Sequence, residues 1–121
     1  MSGGGPVPKG AIEDRISKSL TQWEKEFLGR GSVLVKTDLL RNMVIVSLQG
    51  VLTPAEQELA KTREGLLSVK RLRQDLVESG ITQLNALMGE ITGATVQSFF
   101  TDVSTRTGER VMVFMLDREV A

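Results

Sequence analysis

Four residues after the first predicted helix have the types that phosphate-binding loops use: Gly29, Gly31, Lys36 and Thr37. A phosphate loop of the Walker type has the pattern G-x-x-x-x-G-K-[ST] and lies between a strand and a following helix, whose N-terminal amides bind the phosphates. Here a valine precedes Lys36, and the glycines follow a helix instead of preceding one. The segment therefore predicts the corner where a helix leads into a strand, with Lys36 at the end of that strand.

A second candidate site is a group of cations in the middle of the chain, opposed locally by Glu64 alone: Lys61, Arg63, Lys70, Arg71 and Arg73. On a helical wheel Arg73 lies within the apolar arc, where a guanidinium is costly unless it is paired or placed at an interface. Two interpretations fit this pattern. One is a solvated helix face with Arg73 reaching water at its rim, and the other is a protein-binding surface formed by Arg63, Lys70, Arg71 and Arg73.

The composition removes most of the side chains that enzymes use near neutral pH. The chain has no cysteine, histidine or tyrosine, which excludes thiolate nucleophiles, disulfides and imidazole acid/base groups. Asp38 and Asp102 are candidates for a carboxylate pair that binds Mg²⁺ or transfers protons, but each precedes a strand connection, where aspartate commonly caps a turn. We therefore predict turn roles for both, with no catalytic residue, cofactor or metal site, and we expect a protein that is not an enzyme.

Length and charge describe one small domain without a global electrostatic field. A chain of 121 residues buries one modest core, and its 15 basic residues balance 15 acidic ones, so no net charge attracts it to nucleic acid or anionic lipid. Residues 1–8, rich in Gly and Pro, predict a disordered tail and leave residues 9–121 for a single domain. No apolar run reaches the roughly 18 residues of a membrane span, so we expect a soluble, cytoplasmic protein without direct membrane insertion.

Nucleic-acid binding is also disfavoured by the aromatic residues. The single tryptophan, Trp23, belongs to a helical stripe, and no strand carries the series of aromatic side chains on which bases stack.

Apolar periodicity predicts a helix and a hairpin at each end of the chain. The stripe of the first helix recurs at helical spacing and ends at Gly29, and it consists of Ile12, Ile16, Leu20, Trp23 and Phe27. Apolar, β-branched runs at residues 32–37 and 43–48 predict a first hairpin. A later helical stripe ends at Gly93, and residues 95–104 and 110–116 predict a second hairpin.

The strongest local signal lies between the hairpins, where Thr53, Pro54 and Glu56 predict a helix N-terminus with a capping box. The helix that begins there is predicted to continue to about Glu78 and to be interrupted at Ser79-Gly80. Its apolar arc contains five residues: Leu59, Leu66, Val69, Leu72 and Leu76.

The two ends of the chain indicate an internal duplication. An offset of 64 residues aligns both helical stripes and places Gly29 on Gly93 and Thr37-Asp38 on Thr101-Asp102, and a connection four residues longer then aligns the second strands. The predicted fold is α+β, in the order α-β-β-α(α)-β-β, with an antiparallel sheet packed under helices. This order is a circular permutation of the ferredoxin-like one and favours a single four-stranded sheet, the alternative being hairpins that pair across a dimer.

Several segments, in this order, resemble one bacterial protein family. They are Gly29-Arg30-Gly31 with Lys36-Thr37, "VIVSLQGVLTPAEQELA", Arg63 with Arg71 or Arg73, "ITGATVQSFFTDVS" and "VFMLD". Together they are similar to the MpsC-like family, named after the small component of a sodium-translocating membrane-potential-generating system. The resemblance spans about residues 9–117. It implies a small, soluble domain without a known active site, and it implies that the named system supports cation or inorganic-carbon uptake.

The residues and the resemblance together lead to two functional hypotheses. The first is a non-enzymatic accessory or regulatory subunit that docks on a membrane cation or inorganic-carbon transport complex from its cytoplasmic side. The second is a regulatory domain that binds a small ligand or nucleotide at the corner containing Arg30, Gly31 and Lys36.

We also expect a homodimer. Phe99 and Phe100 are adjacent in a predicted strand and must point to opposite sheet faces. One thin layer of helices would leave one of these faces uncovered.

Overall fold

The helices and strands follow the predicted order, which confirms the α+β class. The computed structural model describes residues 7–29 and 34–120, so most of the predicted tail and the start of the first predicted strand lie outside the described residues. The helices are α1 (Lys9–Phe27), α2 (Pro54–Leu59), α3 (Arg63–Ser79) and α4 (Ile81–Thr92). The strands are β1 (Leu34–Leu40), β2 (Met43–Gln49), β3 (Val96–Val103) and β4 (Arg110–Leu116).

The four strands form one antiparallel sheet in the order β1-β2-β4-β3. Each hairpin supplies one central strand and one edge strand, and β2 pairs with β4 within the same chain. This is the order that circular permutation of the ferredoxin-like arrangement predicts. The alternative of hairpins that pair across a dimer therefore does not apply to this chain.

The core lies between one face of the sheet and the helices. α1 contacts β1, while α3 and α4 contact β3, and alternate strand residues face this helical layer because side chains alternate across a strand. The largest fully buried side chains of the sheet are Val44, Val46, Leu48, Met112, Phe114 and Leu116. They pack against the buried helical side chains, which include Ile16, Leu20, Leu84 and Met88.

The middle helix is two helices, which corrects the prediction of one helix from Thr53 to Glu78. The capping box at Thr53 is confirmed, but α2 ends at Leu59, and α3 begins after a second N-cap, Thr62, whose hydroxyl accepts the Gly65 amide at 3.0 Å. Two residues of the predicted apolar arc, Leu59 on α2 and Leu72 on α3, are exposed, because α3 buries the side that contains Val69, Arg73 and Val77. The predicted interruption at Ser79-Gly80 is confirmed, since α3 ends at Ser79.

The first hairpin is longer than predicted. β1 continues through Leu40, and a two-residue connection, Arg41 and Asn42, joins it to β2. Asp38 therefore pairs with Ile45 inside the ladder, and Asp102 likewise pairs within β3 and β4. The predicted turn roles of both aspartates are wrong.

The internal duplication is visible in the positions of equivalent residues. Gly29 and Gly93 both follow the last turn of a helix, and their φ angles are 72° and 73°, a left-handed conformation that costs glycine little. Each helix then leads into an edge strand, and each edge strand pairs with a central strand.

The hairpin registers correct the predicted length of the second connection. Thr37 pairs with Val46, whereas Thr101 pairs with Met112. A connection four residues longer would instead have placed Phe114 opposite Thr101, so the second connection is only two residues longer than the first. Val46 and Met112 also pair with each other across β2 and β4. The pseudo-twofold axis that relates the two units therefore passes between these two buried residues.

The contact between α2 and α3 leads to a testable prediction at Gly65. A Cβ atom at Gly65 would lie 1.9 Å from the Leu59 carbonyl oxygen and 2.9 Å from the Thr62 hydroxyl, so the Gly65→Ala variant must displace backbone. We expect this substitution to lower the free energy of unfolding by about 1–3 kcal/mol in urea denaturation. Gly10→Ala is the matched control, because that Cβ meets nothing within 4 Å and alanine favours helix. Equal stability of the two variants would contradict the packing described.

Candidate functional site

Arg73 is paired within the protein and is not available to a partner. It is 7% exposed, its Nε donates to Glu56 Oε2 at 2.8 Å, and its Nη2 donates to Glu56 Oε1. The same carboxylate accepts the Thr53 amide at 2.9 Å as part of the capping box. The Glu56 carboxylate thus caps the N-terminus of α2 and also neutralises the buried Arg73 guanidinium of α3. The interpretation of Arg73 as a solvated rim residue is therefore wrong.

The environment of Glu56 favours its charged form. Burial raises the pKa of Glu56, but the hydrogen bond from Arg73, the Thr53 backbone amide and the charge of Arg73 together outweigh burial and lower the pKa below its ordinary value of 4.5. Breaking such a pair leaves a guanidinium that is buried without compensation. The pair therefore contributes to stability mainly by preventing that cost.

A second buried cation, Arg110, was missed by sequence reasoning. It is 3% exposed, its Nη1 donates to the Thr101 hydroxyl at 2.7 Å, and its Nη2 donates to the Arg73 carbonyl at 3.1 Å. Burial lowers the pKa of Arg110, the charge of Glu24 partly offsets this effect, and Arg73 adds to it. Strand periodicity could have revealed this position, because Arg110 shares its face with Met112 and Phe114.

The stripe of α1 also differs from its prediction at one position. Glu24 is buried, whereas Phe27 is 42% exposed and stacks on Trp23 with ring centroids 5.1 Å apart. Near the end of α1, a groove of about 500 Å³ lies between α1 and α4 and includes both aromatic residues in its lining. The Trp23 indole N–H donates to Gln83 across this groove at 3.2 Å. Both aromatic residues therefore help to join the first helix to the fourth.

The exposed part of α3 brings together three of the predicted partner-binding residues. Arg63 and Arg71 are exposed, Lys70 is half-buried, and Leu67, which the sequence did not single out, is 56% exposed between them. Because residues three and four apart are neighbours on a helix, Leu67 adjoins all three cations. We call Arg63, Leu67, Lys70 and Arg71 the α3 patch.

Two of the cations near α3 are already engaged in ion pairs. Lys61 pairs with Glu58 at 2.6 Å, and Lys70 pairs with Asp102 at 3.3 Å. The hydrogen bond from the Val103 amide lowers the pKa of Asp102, burial opposes this effect, and Lys70 adds to it. Among the described residues, no carboxylate lies within ion-pairing distance of Arg63 or Arg71.

Most of the predicted ligand corner lies outside the described part of the chain. Arg30 and Gly31 lie outside the described residues, and Lys36 is exposed within β1, on the sheet face that points away from the helices. Within residues 7–29 and 34–120, no group of three or more acidic side chains is arranged to hold a metal ion. No helix of those ranges is long and apolar enough to span a bilayer.

Comparison with known proteins gives a family and two relatives. The family described as "Na+-translocating membrane potential-generating system (MpsC)" matches residues 8–118. Among curated proteins, the chain is 62% identical to "Uncharacterized protein YbcI" of Bacillus subtilis, with 89% of this chain and 87% of the relative covered. It is 32% identical to "Uncharacterized protein YrhF" of the same organism, with 79% and 80% covered. No solved structure matches the chain.

The pair of Glu56 and Arg73 leads to a prediction of pH-dependent stability. We expect Glu56→Gln to lower the free energy of unfolding at pH 7 by about 2–4 kcal/mol, because it leaves Arg73 buried without an anionic partner. Since the pKa of Glu56 is lower in the folded chain than in the unfolded one, this contribution is present above the unfolded pKa and is lost as the pH falls through the folded pKa. Urea denaturation across pH 7 to 3 should therefore show the two proteins converging in acid.

The control for this experiment is Glu58→Gln on the same short helix. Glu58 is exposed and pairs with exposed Lys61, so its loss should cost less than about 1 kcal/mol. Equal losses for the two variants, or a difference between Glu56→Gln and the wild type that does not change with pH, would disprove the proposed contribution.

Proposed function

Since the chain belongs to the MpsC family, whose description names a Na+-translocating membrane potential-generating system, we propose that it is an accessory subunit of a membrane complex. In this proposal the subunit is not an enzyme. It docks on the cytoplasmic side of a membrane protein that transports cations or inorganic carbon, and it acts there by binding. The observation that carries the choice of surface is the exposed leucine that adjoins three cations in the α3 patch.

The α3 patch has the composition of a small protein-binding site. Protein interfaces derive most of their energy from a few anchors near the centre, surrounded by polar contacts that exclude water. Leu67 supplies an apolar anchor, and Arg63, Lys70 and Arg71 supply a cationic rim. The complementary surface is therefore a shallow apolar pocket bordered by Asp or Glu side chains.

The electrostatics of the whole chain also favour a protein partner over a membrane surface. The net charge is zero, so long-range attraction to anionic lipid is weak, whereas a local group of cations affects partner choice and encounter rate at short range. Arg63 and Arg71 have no ion-pair partner among the described residues, so both are free to meet partner carboxylates without breaking an existing pair. Lys70 contributes less, because it already pairs with Asp102.

Charge reversal within the α3 patch tests this proposal. The double variant Arg63→Glu with Arg71→Glu should reduce co-purification with the membrane fraction at least tenfold, an estimate of about 1.4 kcal/mol or more of lost binding. Its thermal melt should stay within a few degrees of the wild type, because both side chains are exposed. Leu67→Ala should weaken association in the same assay without changing the net charge.

The matched control reverses two exposed cations of α1, Arg15→Glu with Lys25→Glu, which changes the net charge equally and should leave association intact. Protein-free vesicles of the same lipids should not retain the wild type. Unchanged association of the α3 double variant would refute the docking surface. If the wild type never associates with membranes and its melting temperature shifts with a nucleotide, the accessory-subunit proposal fails and the ligand-binding regulator replaces it.

A further inference from the structure

The sheet face that points away from the helices has an ordered arrangement of side chains. Strand pairing places them in three rows that run across the sheet from β1 to β3. The first row is Lys36, Ser47, Val111 and Asp102, the second is Asp38, Ile45, Val113 and Phe100, and the third is Leu40, Met43, Met115 and Ser98. We call these twelve residues the outer face.

The outer face is apolar at its centre and remains accessible. Phe100 and Leu40, on the edge strands, are 60% and 50% exposed, and Val111 on the central strand β4 is 42% exposed. The other outer-face side chains of the two central strands are half-buried by their neighbours. Scattered exposed apolar side chains are normal, but a contiguous group of this kind marks an interaction surface. The adjacent Phe99 packs on Phe114 on the other side of the sheet, which confirms that the two phenylalanines face in opposite directions.

Two of the three charges on the outer face lie at opposite ends of one row, and the third, Asp38, lies near Lys36 on β1. Lys36 lies on edge strand β1, and Asp102 lies on edge strand β3 at the far end of the same row. Both side chains are exposed, and Asp102 retains 71% of its side-chain exposure beside Lys70. A row with a cation at one end and an anion at the other is complementary to itself after a half-turn about an axis parallel to the strands.

We propose that the outer face binds a second copy of this chain, face to face, about a twofold axis parallel to the strands. This axis places β1 of one protomer over β3 of its partner and β2 over β4. Lys36 of each protomer then meets Asp102 of the other, and Asp38 of each lies opposite Phe100 of the other. The central apolar side chains of the two sheets pack together. Aligned packing of two sheets at about 30° is a common arrangement in proteins, with the inner faces about 10 Å apart.

The area of the outer face indicates the dissociation constant expected of this dimer. The sheet that carries the outer face is four strands wide and about seven residues long, or about 19 by 23 Å and roughly 440 Å² in projection, which sets an upper limit for the contact area. Stable interfaces usually bury about 800 Å² of accessible surface per partner, and weak ones less than about 600 Å². The outer face belongs to the weak class, so we expect a dissociation constant in the micromolar range and a dimer that is populated at tens of micromolar.

The first experiment measures mass by sedimentation equilibrium of the full chain between about 5 and 200 μM. We expect a monomer–dimer equilibrium. Phe100→Glu should raise the dissociation constant at least about 100-fold, because two apolar side chains are lost per dimer and each new carboxylate lies opposite Asp38 of the other protomer. Since Phe100 is exposed, the variant should remain folded by circular dichroism. Leu72→Glu is the matched control, because Leu72 is 51% exposed on α3, outside the outer face, and this variant should dimerise like the wild type.

The second experiment tests the orientation by charge exchange. Lys36→Glu and Asp102→Lys should each raise the dissociation constant about tenfold, because each places like charges opposite one another twice per dimer. The double variant restores opposite charges across the interface and should recover most of the wild-type affinity. The Asp102→Lys single variant and the double variant both lose the ion pair between Asp102 and Lys70. Higher affinity of the double variant therefore reports the pairing between residues 36 and 102 of different protomers.

Several results would overturn the proposed dimer. A monomer mass at 200 μM excludes the dimer. This is also the result expected if another segment of the same chain covers the outer face. A dimer that survives Phe100→Glu forms elsewhere, for example edge to edge between strands. Additive losses in the charge-exchange double variant exclude the proposed axis. These results do not depend on the accessory-subunit proposal, because the residues changed to test that proposal, Arg63, Leu67 and Arg71, lie outside the outer face and the membrane assay is independent of the mass measurement.

Discussion

One constraint underlies most of this structure: a four-stranded sheet has two faces, and the helices of the described chain cover one of them. Side chains that alternate along each strand must therefore serve two different environments. On the inner face, Val44, Val46, Met112 and Phe114 are completely buried. On the outer face, the central strands β2 and β4 carry Met43, Ile45, Val113 and Met115, where a solvated sheet would carry polar residues. This second apolar surface is what a self-contained monomer would not need.

The inner face also contains charge, and hydrogen bonds explain why this is tolerated. Moving an ion out of water costs several kcal/mol even after relaxation, and the cost is recovered only when most donors find acceptors. Arg73 meets both oxygens of Glu56, and Arg110 meets a hydroxyl and the Arg73 carbonyl. These contacts connect α2, α3, β3 and β4 in one network. The short helix α2, which has no buried residue of its own, is held in place largely through this network and its capping box.

Local signals in the sequence predicted much of the fold, because they depend on neighbours along the chain. The capping box at Thr53, the glycines after α1 and α4, and the second hairpin were all predicted from short stretches, and the structure contains each of them. The break at Thr62 was also local, but apolar periodicity across α2 and α3 obscured it.

The remaining features depend on tertiary contacts. Burial of Glu24 and Arg110 requires knowledge of which strands and helices meet. The length of the first hairpin depends on a two-residue connection without glycine, at Arg41 and Asn42. The sequence predicted the three cations of the α3 patch but not the exposed Leu67 between them. Whether Leu67 is buried or exposed follows only from how α3 packs on the sheet.

The two proposed surfaces are centred on opposite layers of the domain and meet only at the ion pair of Lys70 and Asp102. This arrangement has a consequence for binding strength. Dimerisation through the outer face would leave both α3 patches exposed on the outer sides of the dimer. A single patch offers one leucine and two arginines that have no ion-pair partner among the described residues, and it binds weakly. Two linked patches raise the effective concentration for the second contact and can increase overall affinity by about 10² to 10⁴ if the partner sites are spaced to match. A membrane complex that is itself twofold symmetric would satisfy that condition. Weak self-association and weak docking would then be coupled, so that a neutral chain of 121 residues binds tightly only where two partner sites occur together.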